Sequence, residues 1–413
     1  MQNSPFITND SIVFGILMSA LALVFTTSKS QHTFWKRFYT VFPALLMCYL
    51  IPSLLSTFHV ISPTHSNLYS MAKNYLLPAS LILMTLSIDL KNIIRLGSKS
   101  IVMFLTGTVG IVIGGPLAIL LVAHISPETV GGVGAQQVWR GLATIAGSWI
   151  GGGANQTAML EIYQYDQSLY AGMVAVDILV ANVWMAILLF CIGKSAKIDR
   201  WLKADNSAID ALKETVQQFQ SSVTKVPTFN DLMIMAGFTF GLVGLSHFLA
   251  GELSAYFKSV LNNDAAVLCS AFFWLVLLST SLGILASFTP AKKMEGVGAS
   301  KFGSICIYIL VATIGMKMDV THTLSNPGLF IIGLIWMGIH VGLMFLVAKL
   351  IRAPFFFLAV GSKANVGGAA SAPVVAGAFH PSLAPVGVLL AILGYALGTY
   401  GAMLCAYLMS ISS

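Results

Sequence analysis

The sequence predicts an all-α membrane protein made of two inverted repeats, each with five transmembrane helices and one re-entrant glycine-rich hairpin or broken helix. Composition is the first ground: of 413 residues, 57% are hydrophobic and 9% charged, against roughly 25% charged in soluble domains. The mean hydropathy is +0.84. Length is the second, because apolar runs of about 20 residues recur, each enough to cross a hydrocarbon layer of roughly 30 Å. The third is a duplicated interruption. GSWIGGGANQTA, beginning at Gly147, aligns without gaps with GSKANVGGAASA, beginning at Gly361, and they share Gly147/Gly361, Ser148/Ser362, Gly153/Gly367 and Ala158/Ala372. Glycine costs a helix about 1 kcal/mol per residue relative to alanine, so clusters this dense unwind the helix they occupy.

In the first repeat, residues 1–193, spans are expected at 11–27, 38–57, 71–89, 101–124 and 169–194, with the hairpin at about 139–162 before the last. In the second, residues 231–413, they fall at 231–249, 265–288, 302–319, 328–350 and 381–408, with the hairpin at about 353–378 in the same place. The first run reads as a mature span and not a signal peptide, since Asp10 precedes it while Lys29, Lys36 and Arg37 follow it. If each glycine-rich segment dips in and returns, the basic loops 29–37, 91–99, 194–225, 292–301 and 349–352 share one face, as the positive-inside rule requires. The opposite loops, 56–70, 126–137, 251–264 and 321–326, are poor in Lys and Arg. This puts the linker 194–230 in the cytoplasm and both termini outside. Within the linker, Ile209, Leu212, Val216 and Phe219 fall at helical spacing and Ser207 with Asp210 forms a capping box, which reads as a short amphipathic tether.

Weaker matches support the duplication. LSIDL, beginning at Leu86, aligns with MKMDV, beginning at Met316, and so pairs Asp89 with Asp319. The fourth spans carry Gly110-x-x-x-Gly114 and Gly338-x-x-x-Gly342, small-residue pairs that let helices approach closely. The net charge of +7 lies singly or in pairs in short loops, so topology explains it and no nucleic-acid partner is needed. Cys48, Cys191, Cys269, Cys306 and Cys405 all sit in apolar runs without metal-ligand spacing and read as inert thiols, with no transition-metal site.

Backbone unwound in hydrocarbon leaves amides and carbonyls unpaired at several kcal/mol each, so such stretches face a cavity or a ligand. Amides at half-helix starts attract anions, and freed carbonyls hold cations. Substrate-binding candidates are therefore Ser148, Gly152, Gly153, Asn155, Gln156 and Thr157 in the first hairpin, with Ser362, Lys363, Asn365, Gly367, Gly368 and Ser371 in the second. Asp177 lies in the middle of AGMVAVDILVANVW. A carboxylate at that depth costs at least about 2.5 kcal/mol and so faces the protein interior with a partner. It is the candidate coupling residue, ligating Na+ through oxygen donors or exchanging H+. Asn155, Asn365 and Asn182 are its candidate companions, although Asn182 lies about 140° around the helix from Asp177.

Lys363 breaks the repeat symmetry, its counterpart being Trp149. Three roles are open to it: neutralising a substrate carboxylate, pairing with Asp177, or snorkelling to the surface. Asp89, Lys317 and Asp319, near span ends, read as interfacial or capping groups, and His247 and His340 as satisfied interior or interfacial residues. The aromatic runs 272–274 and 355–357 read as packing or lipid-facing groups.

SWIGGGANQTAM and SKANVGGAASAP are where the chain resembles the YjcL-like family of uncharacterised multi-pass membrane proteins, over essentially its whole length. That family is grouped with a broader set containing cation:proton antiporters, bile-acid:sodium symporters and glutamate:sodium symporters. The resemblance implies a mobile core domain holding the hairpins and the span of Asp177, a separate scaffold domain, a homodimer and an elevator-like motion. It supplies no substrate. The broader set often has paired acidic residues in the core, whereas Asp177 alone is mid-membrane here, which weakens a pure antiport reading.

The expected function is secondary active symport of a small organic anion, amino acid or short peptide across a bacterial inner membrane. The driving force is a Na+ gradient, or alternatively H+, with no other cofactor. Cation:proton antiport is the runner-up. An intramembrane enzyme is more remote, since neither H-E-x-x-H nor G-x-G-D occurs, although a serine–histidine dyad carries no motif of its own. A primary pump is disfavoured by the lack of a phosphate-binding loop.

Overall fold

The computed structural model describes residues 6–42, 44–62, 66–86, 94, 96–205, 209, 227–261, 267–318, 326–380 and 383–413. Helices dominate these residues, and one isolated bridge joins Ile7 to Ile61. Helix α1 (Asp10–Ser28) opens at Asn9, whose side chain accepts the amides of Ser11 and Ile12, satisfying two of the orphan donors of a helix start. Next come α2 (Thr33–Val41) and α3 (Ala44–Thr57), bent by 86° at their junction. The single span expected at 38–57 is therefore two helices. Pro43 stands between them in the sequence, where a missing amide and a restricted preceding residue favour a break.

Helix α4 begins at Leu68–Met71, widens into a π turn at Ala72–Leu76, and continues as Leu77–Leu86. The π turn frees the carbonyl of Asn74, which meets His247 Nε2 at 2.7 Å. It also presents Lys73 to Glu161, 2.6 Å away. Helix α5 (Ser98–Ile125) is followed by α6 (Val138–Tyr163) and α7 (Tyr170–Ile192). The linker starts as α8 (Ser195–Leu202), where Asp199 accepts the amide of Phe355 at 2.8 Å. Of the residues assigned to the tether helix, Ser207, Asp210, Leu212, Val216 and Phe219 lie outside the described residues, as do Asp89 and Asp319. Ile209 is described and packs on the apolar interior.

The second half runs through α9 (Phe229–Leu261), α10 (Ala271–Ser287), α11 (Ala299–Gly315), α12 (Gly328–Leu350), α13 (Phe355–Asn365), α14 (Gly368–Phe379) and α15 (Ala384–Ser412). Helix α9 continues well beyond the expected end at residue 249, through a stretch read as loop. Glu252 and Lys258 sit on its exposed face. Among the described residues, six helices are long and apolar enough to cross a membrane, and eight if each bent pair counts as one span. The chain is a membrane protein with several transmembrane helices.

Both glycine-rich segments are hairpins. In α6 the backbone breaks at Gly152, with φ 73° and ψ −171°, in the left-handed region that favours glycine. Its two ends return to one side, because Arg140 donates to the carbonyl of Tyr163 at 2.7 Å and the amide of Asp166 to that of Ala135 at 2.9 Å. Between α13 and α14 the chain turns through Gly367 (φ 116°) and Gly368 (φ 57°). The ring of Phe379 closes that hairpin at its base, 5.9 Å from Phe355 and 5.3 Å from Phe356.

The helices associate mainly in two groups. Helices α5, α6, α7, α12, α13, α14 and α15 pack on one another, most extensively α6 on α15 and α5 on α12. Helices α1, α3, α4, α9, α10 and α11 form the other group, with α4 against α10 and α11. Gly110 and Gly114 lie against His340 and Trp336 of α12, as their spacing suggests. Gly338 and Gly342 do not mirror them. A Cβ on either would meet no atom within 4 Å, so that second pair lies on an exposed face.

The limbs of the first hairpin touch at Gly147, where an added Cβ would stand 2.6 Å from the carbonyl oxygen of Asn155. Gly147→Ala should therefore force the limbs apart and destabilise the protein by roughly 1–3 kcal/mol. Gly153, helical and with open space at its Cβ position, should tolerate alanine with no loss or a gain of up to about 1 kcal/mol. Thermal unfolding of the two purified variants in detergent compares them directly.

Candidate functional site

Asp177 lies on the inward face of α7 at 5% exposure. One carboxylate oxygen accepts Ser148 Oγ at 2.7 Å and Gln156 Nε2 at 3.0 Å, and the other accepts Trp149 Nε1 at 2.7 Å. The donors come from both limbs of the first hairpin, so the carboxylate fixes them against each other and against α7. Lys363, on the first limb of the second hairpin, is 2% exposed and donates to the carbonyl of Ala181 at 3.3 Å, one turn along α7 from Asp177. Asp177 and Lys363 form no direct ion pair.

The two buried asparagines make the same clamp. Asn155 Nδ2 donates to the carbonyl of Gly151, four residues back, at 3.0 Å and to that of Tyr395 on α15 at 3.4 Å, while its Oδ1 accepts Thr399 Oγ1 at 2.5 Å. Asn365 Nδ2 donates to the carbonyls of Gly361, again four back, at 3.0 Å and Phe104 on α5 at 2.9 Å, while its Oδ1 accepts Thr108 Oγ1 at 2.8 Å. In both cases the threonine lies four residues after the neighbouring carbonyl. Each amide thus holds a hairpin limb to a full-length helix, and little of its hydrogen-bonding capacity remains for a ligand.

Ser362 belongs to a chain through four helices. Trp184 Nε1 on α7 donates to Ser362 Oγ at 2.8 Å, and Ser362 Oγ meets His340 Nε2 on α12 at 2.8 Å. His340 Nδ1 lies 3.0 Å from the carbonyl of Gly107 on α5. A carbonyl only accepts, so Nδ1 carries a proton; with Trp184 donating into Ser362, the hydroxyl proton goes to Nε2. His340 is buried and satisfied, as its isolated position on an apolar helix suggests.

The two hairpin tips meet on α15. A Cβ on Gly394 would stand 2.8 Å from the carbonyl oxygen of Ile150 and 3.5 Å from that of Ala364, each in the last turn before its hairpin's break. One freed carbonyl from each hairpin therefore approaches the same glycine. Gly152 sits by Tyr395, Gly153 and Gly368 have open space at their Cβ positions, and Gly367 neighbours Ser371 and Lys363. Thr157 Oγ1 donates to the carbonyl of Gly153 at 3.0 Å, and Ser371 Oγ is buried without a hydrogen-bond partner. Asn182 does not join the site, being exposed on α7 away from Asp177.

Several residues here carried no signal in the sequence. Thr108, Thr399 and Tyr395 complete the clamps from far along the chain, and Tyr49 and Tyr170 stand ring to ring with centroids 6.1 Å apart beside the first hairpin. Glu161 and Lys73 form a buried-side ion pair, with Gln167 donating to Glu161 at 3.0 Å and Lys317 lying 3.7 Å over the ring of Tyr69. A charged residue within each of two otherwise apolar segments was the available clue to that pair.

The model of the family described as "Protein of unknown function (DUF819)" matches residues 15–411. The chain is also 26% identical, over 356 residues, to the protein named uncharacterized membrane protein YjcL of Bacillus subtilis (strain 168), an alignment covering 82% of this chain and 83% of that one.

Thr108→Val and Thr399→Val each keep the side-chain shape and leave an asparagine oxygen unpaired in the interior. Each should lower stability by about 1–3 kcal/mol. A fall in the thermal unfolding midpoint of either variant, absent from a valine placed at the exposed Thr26 of α1, is the expected measurement.

Proposed function

This chain belongs to the DUF819 family, and from that starting point we propose that it is a secondary active transporter for a small organic anion, amino acid or short peptide. The observation that carries this reading is the convergence of two hairpin tips on Gly394 of α15, with a buried carboxylate bonded to the first hairpin and a buried ammonium carried on the second. Broken backbone inside an apolar bundle is tolerated where it lines a cavity or holds a ligand. Lys363 is the group suited to a passenger carboxylate, and Asp177 to the coupling ion, Na+ or less favourably H+. The peptide groups at the hairpin tips supply the remaining donors and acceptors.

On this reading the halves are inverted repeats. Support comes from like packing on like: α4 on α11 and α5 on α12, with the α1–α3 and α3–α11 contacts mirrored by α9–α10 and α10–α4. The hairpin-bearing group, α5–α7 with α12–α15, acts as a mobile core that slides against the other helices as a scaffold, in an elevator-like motion within a homodimer. The protein resides in the bacterial inner membrane with the linker cytoplasmic and both termini outside. No enzymatic activity is proposed. Ser362 and His340 touch, but the serine oxygen is already committed to Trp184 in a fully buried setting. One observation favours cation:proton antiport as the second reading: the single carbonyl partner of Lys363 so close to Asp177.

Uptake of a panel of labelled carboxylates and amino acids into proteoliposomes, with and without inward Na+ and pH gradients, tests the proposal. At least one solute should accumulate only with a gradient, and Asp177→Asn should abolish that accumulation while the variant unfolds as cooperatively as the parent. Cation efflux coupled to proton entry with no solute accumulated would establish the antiport reading instead. Lys363→Met should weaken uptake of anionic solutes at least about tenfold, the effect of losing one charge-assisted contact.

A further inference from the structure

Three buried oxygen atoms around Asp177, Gln156 Oε1, Tyr49 Oη and Tyr170 Oη, close no hydrogen bond of full geometry. The residues that carry them are between 0% and 1% exposed. The amide nitrogen of Gln156 is committed to Asp177, which leaves its oxygen unmatched. The hydroxyls of Tyr49 and Tyr170 are close to one another, and that of Tyr49 also approaches Thr157, but none of these contacts closes into a hydrogen bond of full geometry; both hydroxyls lie in the field of Asp177. Buried polar atoms left unpaired cost stability, and a cluster of them marks a place where something else completes their coordination.

We propose that a Na+ ion binds between α3, α6 and α7, held by the Asp177 carboxylate, Gln156 Oε1 and the two phenolic oxygens of Tyr49 and Tyr170. Every donor is a hard oxygen, which suits Na+ and not a transition metal. The single carboxylate sets the charge: one negative group among neutral oxygens balances a monovalent cation and underserves a divalent one. The clamped amides of Asn155 and Asn365 have no part in this site.

Tyr49 gives the site its consequence. It lies on α3, in the helix group that lacks the hairpins, and its backbone oxygen is pressed against Gly315 of α11, while Ser53 donates to the carbonyl of Met318 at 2.8 Å. Gln156 and Asp177 lie in the hairpin-bearing group. A bound ion therefore ties one group to the other and must lose Tyr49 before they slide. This use of the site rests on the carrier reading, whereas binding itself is measured without transport.

The test is equilibrium binding of radiolabelled Na+ to the purified protein in detergent, competed with unlabelled NaCl or with choline chloride at equal ionic strength. Wild type should show saturable binding that NaCl displaces and choline does not. Tyr49→Phe and Tyr170→Phe each delete one oxygen and keep the ring, and each should weaken Na+ affinity about tenfold or more. Gln156→Met, which removes the amide oxygen at similar volume, should do the same, so the result does not depend on one variant folding. Absence of saturable binding in wild type overturns the proposal, as does wild-type affinity in folded Tyr49→Phe/Tyr170→Phe protein. If that double variant binds normally and Na+-driven uptake persists, the tyrosine site is wrong and the carrier stands; tyrosine-dependent binding with no uptake of any solute leaves the site standing and removes the carrier.

Discussion

Peptide groups that leave a helix inside an apolar bundle have no water to turn to, and the architecture around the two hairpins follows from that fact. Near Gly152 and Gly367 the chain cannot continue its own ladder. Asn155 and Asn365 take up the carbonyls four residues behind them and reach across to a second carbonyl on α15 or α5. Thr399 and Thr108, one turn on from those second carbonyls, then occupy the asparagine oxygens. The two solutions use the same three-part geometry on opposite sides of their breaks, since Asn155 follows Gly152 whereas Asn365 precedes Gly367. Similar chemistry, not identical position, is what the two halves have in common here.

One stripe of α7 reads both hairpins. Asp177, Ala181 and Trp184 recur at the spacing of a single helix face. Asp177 takes donors from both limbs of the first hairpin, the carbonyl of Ala181 takes the ammonium of Lys363, and Trp184 donates to Ser362. The carboxylate and the ammonium are thus each held by neutral partners and not by one another. Neutral partners stabilise the geometry without cancelling the charge, which leaves both groups able to answer a charged visitor.

How much of this the sequence disclosed depends on whether the cause was local. Glycine density is local, and it located both breaks at Gly152 and Gly367 within the stretches that signalled them. Lysine and arginine placement is nearly local, and it favoured hairpins over full crossings; the contacts Arg140–Tyr163 and Phe356–Phe379 show that both segments fold back on themselves. Asp177 stood out because a carboxylate in an apolar run is costly. The clamp threonines did not, since Thr108 and Thr399 look like any other small polar residue on a membrane helix and find their asparagines more than two hundred positions away. The bend between α2 and α3 and the length of α9 differ from expectation for a related reason: a run of about 20 apolar residues marks a span but neither registers a single Pro43 nor shows how far a helix continues past the run, as α9 does with Glu252 and Lys258 on its exposed face.

The π turn at Ala72–Leu76 fixes the length of its segment as firmly as its composition. Such a turn holds one residue more than the α-helical turn it replaces. Excising a single residue between 72 and 76 would close the turn to regular pitch while keeping the flanking turns in phase, so the loss would fall on the groups that the widened turn displays. Lys73 would then leave Glu161, and His247 would face a carbonyl already bonded within its own helix. The extra residue therefore serves display and not phase: a related chain without it would keep the course of the helix and give up these two contacts.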